Sequence, residues 1–371
     1  MNNSKIKVID LFCGCGGLSY GFMEAGYDVV LGIDSWKDAI KTFEYNHKSA
    51  KGLVADLANE SPKQISEKTG IKQIDLIIGG PPCQGFSIAG KRIIDDERNE
   101  LYKSFVRFVD FYKPKAFLME NVPNIVSMGK GIVRESILND FQSLGYKVVY
   151  KVLMASDFGV PQNRKRAFFI GLQGDNKFDF PEPNRQKLIS SKDAISDLPE
   201  KSLPDGVEYS ISPNSEYQKL IRSGSKGIYN HQITNHSEKT VEIISIVPDG
   251  GNYKNLPLKL QRTRNVHIAW TRLNSKKPSF TIDTGHRHHF HYEYDRIPTV
   301  RESARIQSFP DNFNFEVVSE CRQYRAIGNA VPPVLMWHVT KALLDSCINV
   351  KNVQKEFGVL EKTHKDLTLL K

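Results

Sequence analysis

Residues 74–87, IDLIIGGPPCQGFS, decide how the chain is read. Leu76, Ile77 and Ile78 form a short, wholly apolar run, the pattern of a strand buried in a parallel sheet. Gly79 and Gly80 release the chain from that sheet, and Pro81 and Pro82 fix two successive φ angles. Cys83 therefore stands on a stiff support. Gln84 follows, then Gly85, whose missing side chain admits a ligand close to the backbone. Open α/β sheets hold ligands just beyond the carboxyl ends of their strands. Most free cysteines are small buried hydrophobes, and Cys83 can be read that way too. The rigid Pro-Pro lead-in favours a presented nucleophile.

Upstream, Lys7–Phe12 reads as a first strand that delivers the turn Cys13-Gly14-Cys15-Gly16-Gly17. A helix follows over Leu18–Ala25, with Leu18 and Phe22 on one face and Gly26 as its stop. Such a turn aims backbone N–H groups at a cofactor, although an ordinary strand-to-helix turn has the same composition. A second strand, Val29–Ile33, ends in Asp34, roughly 20 residues past the turn, where nucleotide-binding folds keep a ribose ligand. Asp56 closes a third strand, Leu53–Ala55. The fingerprint G-x-G-x-x-G fails at Ser19, which counts against a dinucleotide but not against a nucleoside without pyrophosphate. Cys13 and Cys15 have no second pair at ligand spacing and are taken as turn residues.

Downstream, Leu101, Phe105, Val109 and Tyr112 recur at helical spacing until Pro114. The strand Ala116–Met119 then delivers Glu120-Asn121-Val122-Pro123. Glu120 has two readings: a partly desolvated carboxyl, favoured in its protonated form, or a cap for the next turn. Tyr146–Ala155 is another strand, and Gly159-Val160-Pro161 turns into Gln162-Asn163-Arg164-Lys165-Arg166 ahead of the strand Ala167–Leu172. Three cations in five residues ordinarily make a solvated face. Arg164 and Arg166, however, alternate at strand spacing, which would let both reach the same cleft.

Beyond Pro181 the composition shifts to Ser, Lys, Asn and Pro, which marks a domain boundary. Between Gly251 and Val300, Arg262, Arg264, Arg272 and other cations outnumber Asp283, Glu293 and Asp295, with Tyr253, Trp270, Phe280, Phe290 and Tyr292 among them. That mixture suits phosphate contacts and base stacking, and equally a charged loop surface. His286, His288, His289 and His291 lack the carboxylate or cysteine that would complete a metal site, so no metal is expected. Thr299–Glu302 is a capping box opening a short helix that Pro310 stops. Arg325–Pro333 reads as a loop feeding a last helix. The 371 residues carry a formal net charge of +9, which permits a polyanionic partner, and five cysteines, which points to a reducing compartment. No apolar run approaches the roughly 20 residues of a membrane span, and a cytoplasmic location is expected.

Six segments now fall in order: DLFCGCGG at Asp10–Gly17, PPCQGFS at Pro81–Ser87, ENV at Glu120–Val122, QNRKR at Gln162–Arg166, RESARIQSFPD at Arg301–Asp311 and IGNAVPP at Ile327–Pro333. In this the chain resembles the DNA (cytosine-5) methyltransferases of the compact bacterial, restriction–modification type, over nearly its whole length. The resemblance implies an α/β fold: a Rossmann-like S-adenosylmethionine-dependent methyltransferase sheet domain over residues 1–178, rejoined by 321–371, and a smaller target-recognition domain over 179–320. It implies methyl transfer from S-adenosylmethionine to carbon 5 of a cytosine flipped out of a specific duplex DNA sequence. Cys83 would be the covalent nucleophile and Glu120 the partner of ring nitrogen 3. Arg164 and Arg166 would hold the base carbonyl and a nearby phosphate, Arg166 being the better candidate for the base.

On the same resemblance Phe12, Gly14, Gly16, Gly17 and Pro81 line the donor, Asp34 holds its ribose, Asp56 lies near its adenine and Asn329 near its methionine end. Gln84, Ser87, Arg262, Arg264 and Arg272 would meet the DNA. The protein is expected to act as a monomer on double-stranded DNA, away from membranes, and to be paired in function with a restriction endonuclease. One departure is visible: Asp34 stands where the family commonly has Glu, and Ser35 rather than a bulky residue follows it, with Trp36 one place later. The alternatives are a tRNA cytosine-5 methyltransferase, a non-catalytic DNA-binding relative and a nicotinamide oxidoreductase.

Overall fold

The structure is a computed structural model and describes residues 5–82, 100–183, 188–261, 270–285 and 289–347. Cys83, Gln84, Ser87, Arg262 and Arg264 lie outside the described residues. The chain forms two units. The first takes residues 5–154, 165–182 and 335–347, and the second takes 155–164 and 183–334. The return to the first unit thus begins at residue 335 rather than at the expected 321, and residues 155–164 fall with the second.

The first unit is built on seven strands: β1 (Lys7–Leu11), β2 (Asp28–Asp34), β3 (Lys51–Val54), β4 (Leu76–Gly79), β5 (Ala116–Asn121), β6 (Lys147–Met154) and β7 (Lys165–Leu172). Their spatial order is β3-β2-β1-β4-β5-β7-β6, parallel through β5, with β7 antiparallel to both its neighbours. The chain runs outward from β1 through β2 to β3, then comes back across to β4, so the topological switch point lies between β1 and β4. Helices α1 (Gly17–Glu24), α2 (Lys37–Asn46), α3 (Pro62–Thr69), α4 (Glu100–Tyr112) and α5 (Ile132–Ser143) connect the strands. This is the mixed α/β, Rossmann-like sheet that the resemblance implied, built on the buried strands that the apolar runs predicted.

Its core is aromatic. Phe117 of β5 meets Phe141 of α5 at 4.0 Å between ring centroids, and Phe105 of α4 stands edge-on to both. Such pairs add about 0.5–1.5 kcal/mol to the burial of their area. Gly79 marks a close backbone approach in the sheet, since a Cβ there would sit 2.2 Å from the carbonyl oxygen of Leu11 across the β1–β4 pair.

The second unit has little regular structure. It carries α6 (Ser191–Ile195), α7 (Glu216–Arg222), α8 (Glu238–Ile246), α9 (Leu258–Gln261), α10 (Val300–Ile306) and α11 (Glu320–Asn329), with a two-stranded parallel ladder of β8 (Thr271–Arg272) and β9 (His289–Phe290). The last helix, α12 (Pro333–Cys347), carries the chain back to the first unit, where Tyr27 donates to Thr340 O at 3.2 Å. Two expectations are corrected. The capping box Thr299–Glu302 forms, but α10 ends at Ile306, ahead of Pro310, because Ser308 turns left-handed at φ +65°. Residues 325–329 are not loop but the last turn of α11, which buries Tyr324, Ala326 and Ile327 along one face. Gly328 is tolerated in that turn because a Cβ would lie 2.4 Å from Asp283 O.

Candidate active site

Just past β1 the backbone adopts a conformation that few side chains tolerate: Phe12 at φ +59°, followed by Gly14 at +55° and Gly16 at +93°. A non-glycine residue in that region costs of order 1–3 kcal/mol and persists only where its surroundings impose it. Here they do. Cys13 N donates to Ile33 O, and Gly16 N donates back to Cys13 O. Asp34, at the end of β2, accepts from Gly14 N at 2.9 Å and from Trp36 N at 2.8 Å, so one carboxylate ties the turn to the start of α2. The N-cap of α1 is Gly16, with no side chain to occupy the first-turn N–H groups.

Ser19, the residue that breaks the dinucleotide fingerprint, donates its hydroxyl to Asp10 Oδ2 at 2.6 Å. Asp10 is buried, and its Oδ1 has no hydrogen-bond partner. Burial pushes its carboxyl up to about 7, the Ser19 bond opposing and the nearby Asp34 charge adding. The two turn cysteines are buried as well. Burial lifts the Cys15 thiol to about 12 and the Cys13 thiol well above the ordinary range, so neither is a nucleophile near neutral pH.

Across the switch point, β4 and β5 end side by side. Asn121 closes β5, donates to Pro81 O at 2.9 Å, and accepts from Val122 N at 2.9 Å. That bond fixes the strand end to the lead-in of PPCQGFS. Since Asn121 holds the start of the next turn, Glu120 is spared capping. Its carboxylate instead pairs with Arg166, Nε to Oε1 at 2.8 Å, both side chains being at most 14% exposed. The register explains the pair: Phe168 of β7 lies opposite Glu120, and Arg166, two residues earlier, shares Phe168's face and reaches Glu120 on the diagonal. Gly80 makes room, because a Cβ there would lie 3.0 Å from Glu120 Oε2.

A strained glycine turn, a carboxylate at the end of β2 and a buried acid–arginine pair thus line the carboxyl edge of one sheet. The model of the C-5 cytosine-specific DNA methylase family matches residues 6–345. The chain belongs to that family. It is 37% identical to the type II methyltransferase M.DdeI of Desulfomicrobium norvegicum, covering 95% of this chain and 94% of that one. It is 38% identical to M1.HphI of Haemophilus parahaemolyticus, covering 92% and 87%. Among solved structures, one described as a DNA modification methyltransferase encoded within an E. coli prophage superposes with a TM-score of 0.74 at 30% identity, covering 92% of this chain and 99% of that one.

Other residues singled out in this methylase's sequence are used differently. Arg164 precedes β7, is buried in the second unit, and donates to Ile282 O at 2.9 Å and Gly328 O at 2.8 Å. Arg272 is 5% exposed, and its guanidinium is taken up by the carbonyls of Val247, Ile244, His291 and Tyr294 and by the Asp295 carboxylate. It has no donor left for a phosphate, which corrects the expectation of a DNA contact there. Asp56 is exposed and accepts from Ala58 N and Asn59 Nδ2, closing its own turn. Asn329 is exposed at the end of α11.

The sequence reading passed over Asn121, and it also missed a buried clasp in the second unit. Gln162 Oε1 accepts from Ile282 N at 3.1 Å, and its Nε2 donates to Ile306 O and to Gln307, which in turn donates to Ala330 O. QNRKR, RESARIQSFPD and IGNAVPP thereby meet through side chains held to backbone. The sequence signal was an amide standing just ahead of each basic or apolar run, which composition alone does not distinguish from a solvated one.

Among the described residues no helix is long and apolar enough to cross a membrane, and no three His, Cys, Asp or Glu side chains are grouped to hold a metal.

Proposed function

We propose that the chain methylates carbon 5 of a cytosine flipped out of a specific duplex DNA sequence, through a covalent adduct with Cys83, using S-adenosylmethionine. The observation that carries this reading is the largely buried Glu120–Arg166 pair at the end of β5, tied by Asn121 to the strand end that leads to Cys83. Carbon 5 of cytosine is a weak nucleophile. Addition of the Cys83 thiolate to carbon 6 forms the Sγ–C6 bond and moves the C5–C6 π electrons onto carbon 5, which then takes the methyl group. Glu120, carrying a proton when the base is bound, donates it to ring nitrogen 3 and so draws off charge as carbon 6 is attacked. Arg166 holds the carboxylate in place and reaches the base carbonyl. A water then takes the carbon 5 proton, the electrons of that bond restore the C5–C6 double bond, and the Sγ–C6 bond breaks to free the thiolate as nitrogen 3 returns its proton to Glu120. Covalent catalysis divides one difficult step into easier ones, and general acid help adds roughly 10²–10⁴-fold.

S-adenosylmethionine, when bound, supplies an electrophilic methyl group on a sulfonium centre. The first unit's residues fit it: Gly14 has open space where a side chain would stand, α1 has an uncapped first turn, and Asp34 supplies a carboxylate for ribose hydroxyls. Phe12, Gly16, Gly17 and Pro81 complete that lining, with Asp56 toward the adenine. Flipping the base costs a few kcal/mol, which Arg262 and Arg264 offset through phosphates, while Gln84 and Ser87 fill the vacancy. The naming of the relatives as type II methyltransferases supports a protective role beside a restriction endonuclease.

The test uses duplex oligonucleotides carrying 5-fluorocytosine, which block proton loss and trap the adduct. A cross-link surviving denaturation and mapped to position 83, absent in Cys83→Ala, is expected. Labelled methyl should enter duplex DNA and not tRNA. No cross-link through position 83, or label in tRNA alone, overturns the reading.

A further inference from the structure

His47 has no part in the chemistry above, yet it touches the turn on which the donor site is built. It follows α2, is fully buried, and lays its ring flat on Phe43, 4.2 Å between centroids and 7° between planes. Its Nδ1 lies 2.8 Å from Phe43 O, and Tyr20 of α1 stands edge-on to it at 6.2 Å. The remaining edge meets Gly16. A Cβ built on Gly16 would lie 2.2 Å from His47 Cε1 and 2.8 Å from Nε2. Burial pushes the imidazole down to about 4, against the opposing effect of its backbone hydrogen bonds with Phe43 and Gly16, so the ring meets Gly16 in its neutral form above pH 5.

Glycine at φ +93° is unstrained, but it is equally free to leave that region, so the turn needs something that selects it. The ring is placed to do so. We propose that His47 is a positioning residue for the methyl donor: wedged between Phe43 and Gly16, its ring is the floor that holds Gly16 left-handed and the first turn of α1 turned toward the ligand. This rests on the reading that the turn binds S-adenosylmethionine. Holding a loop in its bound form raises affinity by removing the ordering cost, so removing the floor should weaken the donor and leave the chemistry intact.

The experiment titrates the full chain calorimetrically with S-adenosylhomocysteine and measures kcat and donor KM on duplex DNA. His47→Ala is expected to weaken binding about tenfold and raise KM to match, with kcat at saturating donor within about twofold. His47→Phe, which keeps a flat ring, should bind within about threefold of the parent. Should His47→Ala fail to fold, His47→Leu takes its place with the same expected loss. Gly16→Ala alone should bind far worse, and Gly16→Ala/His47→Ala should lose less than the product of the two single losses, because the added methyl then enters the space of the ring. Unchanged affinity in folded His47→Ala or His47→Leu overturns the inference, as does equal loss in His47→Phe or strict additivity with Gly16→Ala. A parent chain that fails to bind S-adenosylhomocysteine sinks the donor reading itself and takes this inference with it.

Discussion

Arginine does opposite work in the two units. In the first, Arg166 stands at a strand end and pairs with one carboxylate, Glu120, where strands β4 and β5 also finish. In the second, Arg301 donates to the carbonyls of Tyr229, Pro310 and Phe313, and Arg272 to four others. Arg305 bridges Asp197 and Asp311, and Arg296 grips Glu302 with two bonds of 2.8 Å. The difference follows from backbone. The first unit pairs its buried main chain in a seven-stranded sheet, whereas the second buries irregular segments whose carbonyls need donors from elsewhere. A guanidinium supplies five N–H groups in one plane, so it serves several carbonyls at once. Much of RESARIQSFPD is therefore the frame of the second unit rather than a catalytic surface.

The sharpest way to break that contrast is Arg305→Leu. It removes the guanidinium that bridges Asp197 and Asp311, both buried, leaving Asp197 to Arg222 and Asp311 to Tyr209 and the more distant Arg301, and should cost about 3–5 kcal/mol in urea unfolding, with activity lost alongside the fold. Arg166→Lys should do the reverse. It keeps a cation beside Glu120 but loses the planar fork, so turnover should fall roughly 10²-fold while the urea midpoint hardly moves. Equal behaviour of the two variants in either assay would erase the distinction between frame and site.

The sheet was legible because apolar runs and glycine turns are local signals. Lys7–Leu11, Leu76–Gly79 and Lys165–Leu172 lie within two residues of where the sequence puts them. The position of Glu120 just past a buried strand was equally readable, but not its partner, which is more than forty residues away and needs an antiparallel β7 to reach it. Arginine was the residue that misled. A cation-rich stretch looks the same whether its guanidinium groups meet phosphate or carbonyl oxygen, and only the burial of Arg272 and Arg164 separates the two. Gly328 misled likewise: a glycine in an apparent loop proved to be a close helix contact with Asp283.

The units should also part in acid. In the second, burial holds His291 uncharged and lowers its pKa to about 4, and burial lowers that of His231 as well. Burial opposes the Glu302 charge, yet the Arg296 guanidinium, through its charge and its hydrogen bonds, outweighs it and holds that carboxyl well below the usual range. In all three the unfolded chain takes up protons at higher pH than the folded one. Their stabilisation is complete above about pH 6.5 and is lost as pH falls, toward pH 4 for His291 and lower for Glu302. For His291 alone this amounts to on the order of 3 kcal/mol. In the first unit His47 loses stability in the same window, but Asp10, raised to about 7, gains it, since its contribution is full below its unfolded pKa and is lost only as pH rises through 7. Limited proteolysis at pH 5 should therefore nick residues 183–334 before the sheet, and early cleavage of the sheet at that pH would contradict these signs.

Arg272→Gln makes the finest cut, because it separates two readings of one residue by an effect that should be absent. Were Arg272 a phosphate contact, its loss would release one fewer counterion, and the slope of log K against log salt would shrink by about 0.9. As a frame residue it contributes nothing to that slope. Gln is too short to reach the carbonyls of Val247 and Ile244 together with Asp295, so stability should fall by about 1–3 kcal/mol through unsatisfied buried acceptors. The exposed side of Asp295 keeps the loss below that at Arg305, whose partners have no access to water. Binding to duplex DNA, followed from low to moderate salt on protein that is still folded, should give parallel lines for parent and variant. Converging lines would return Arg272 to the DNA face and, with it, the composition-based reading of the whole basic stretch.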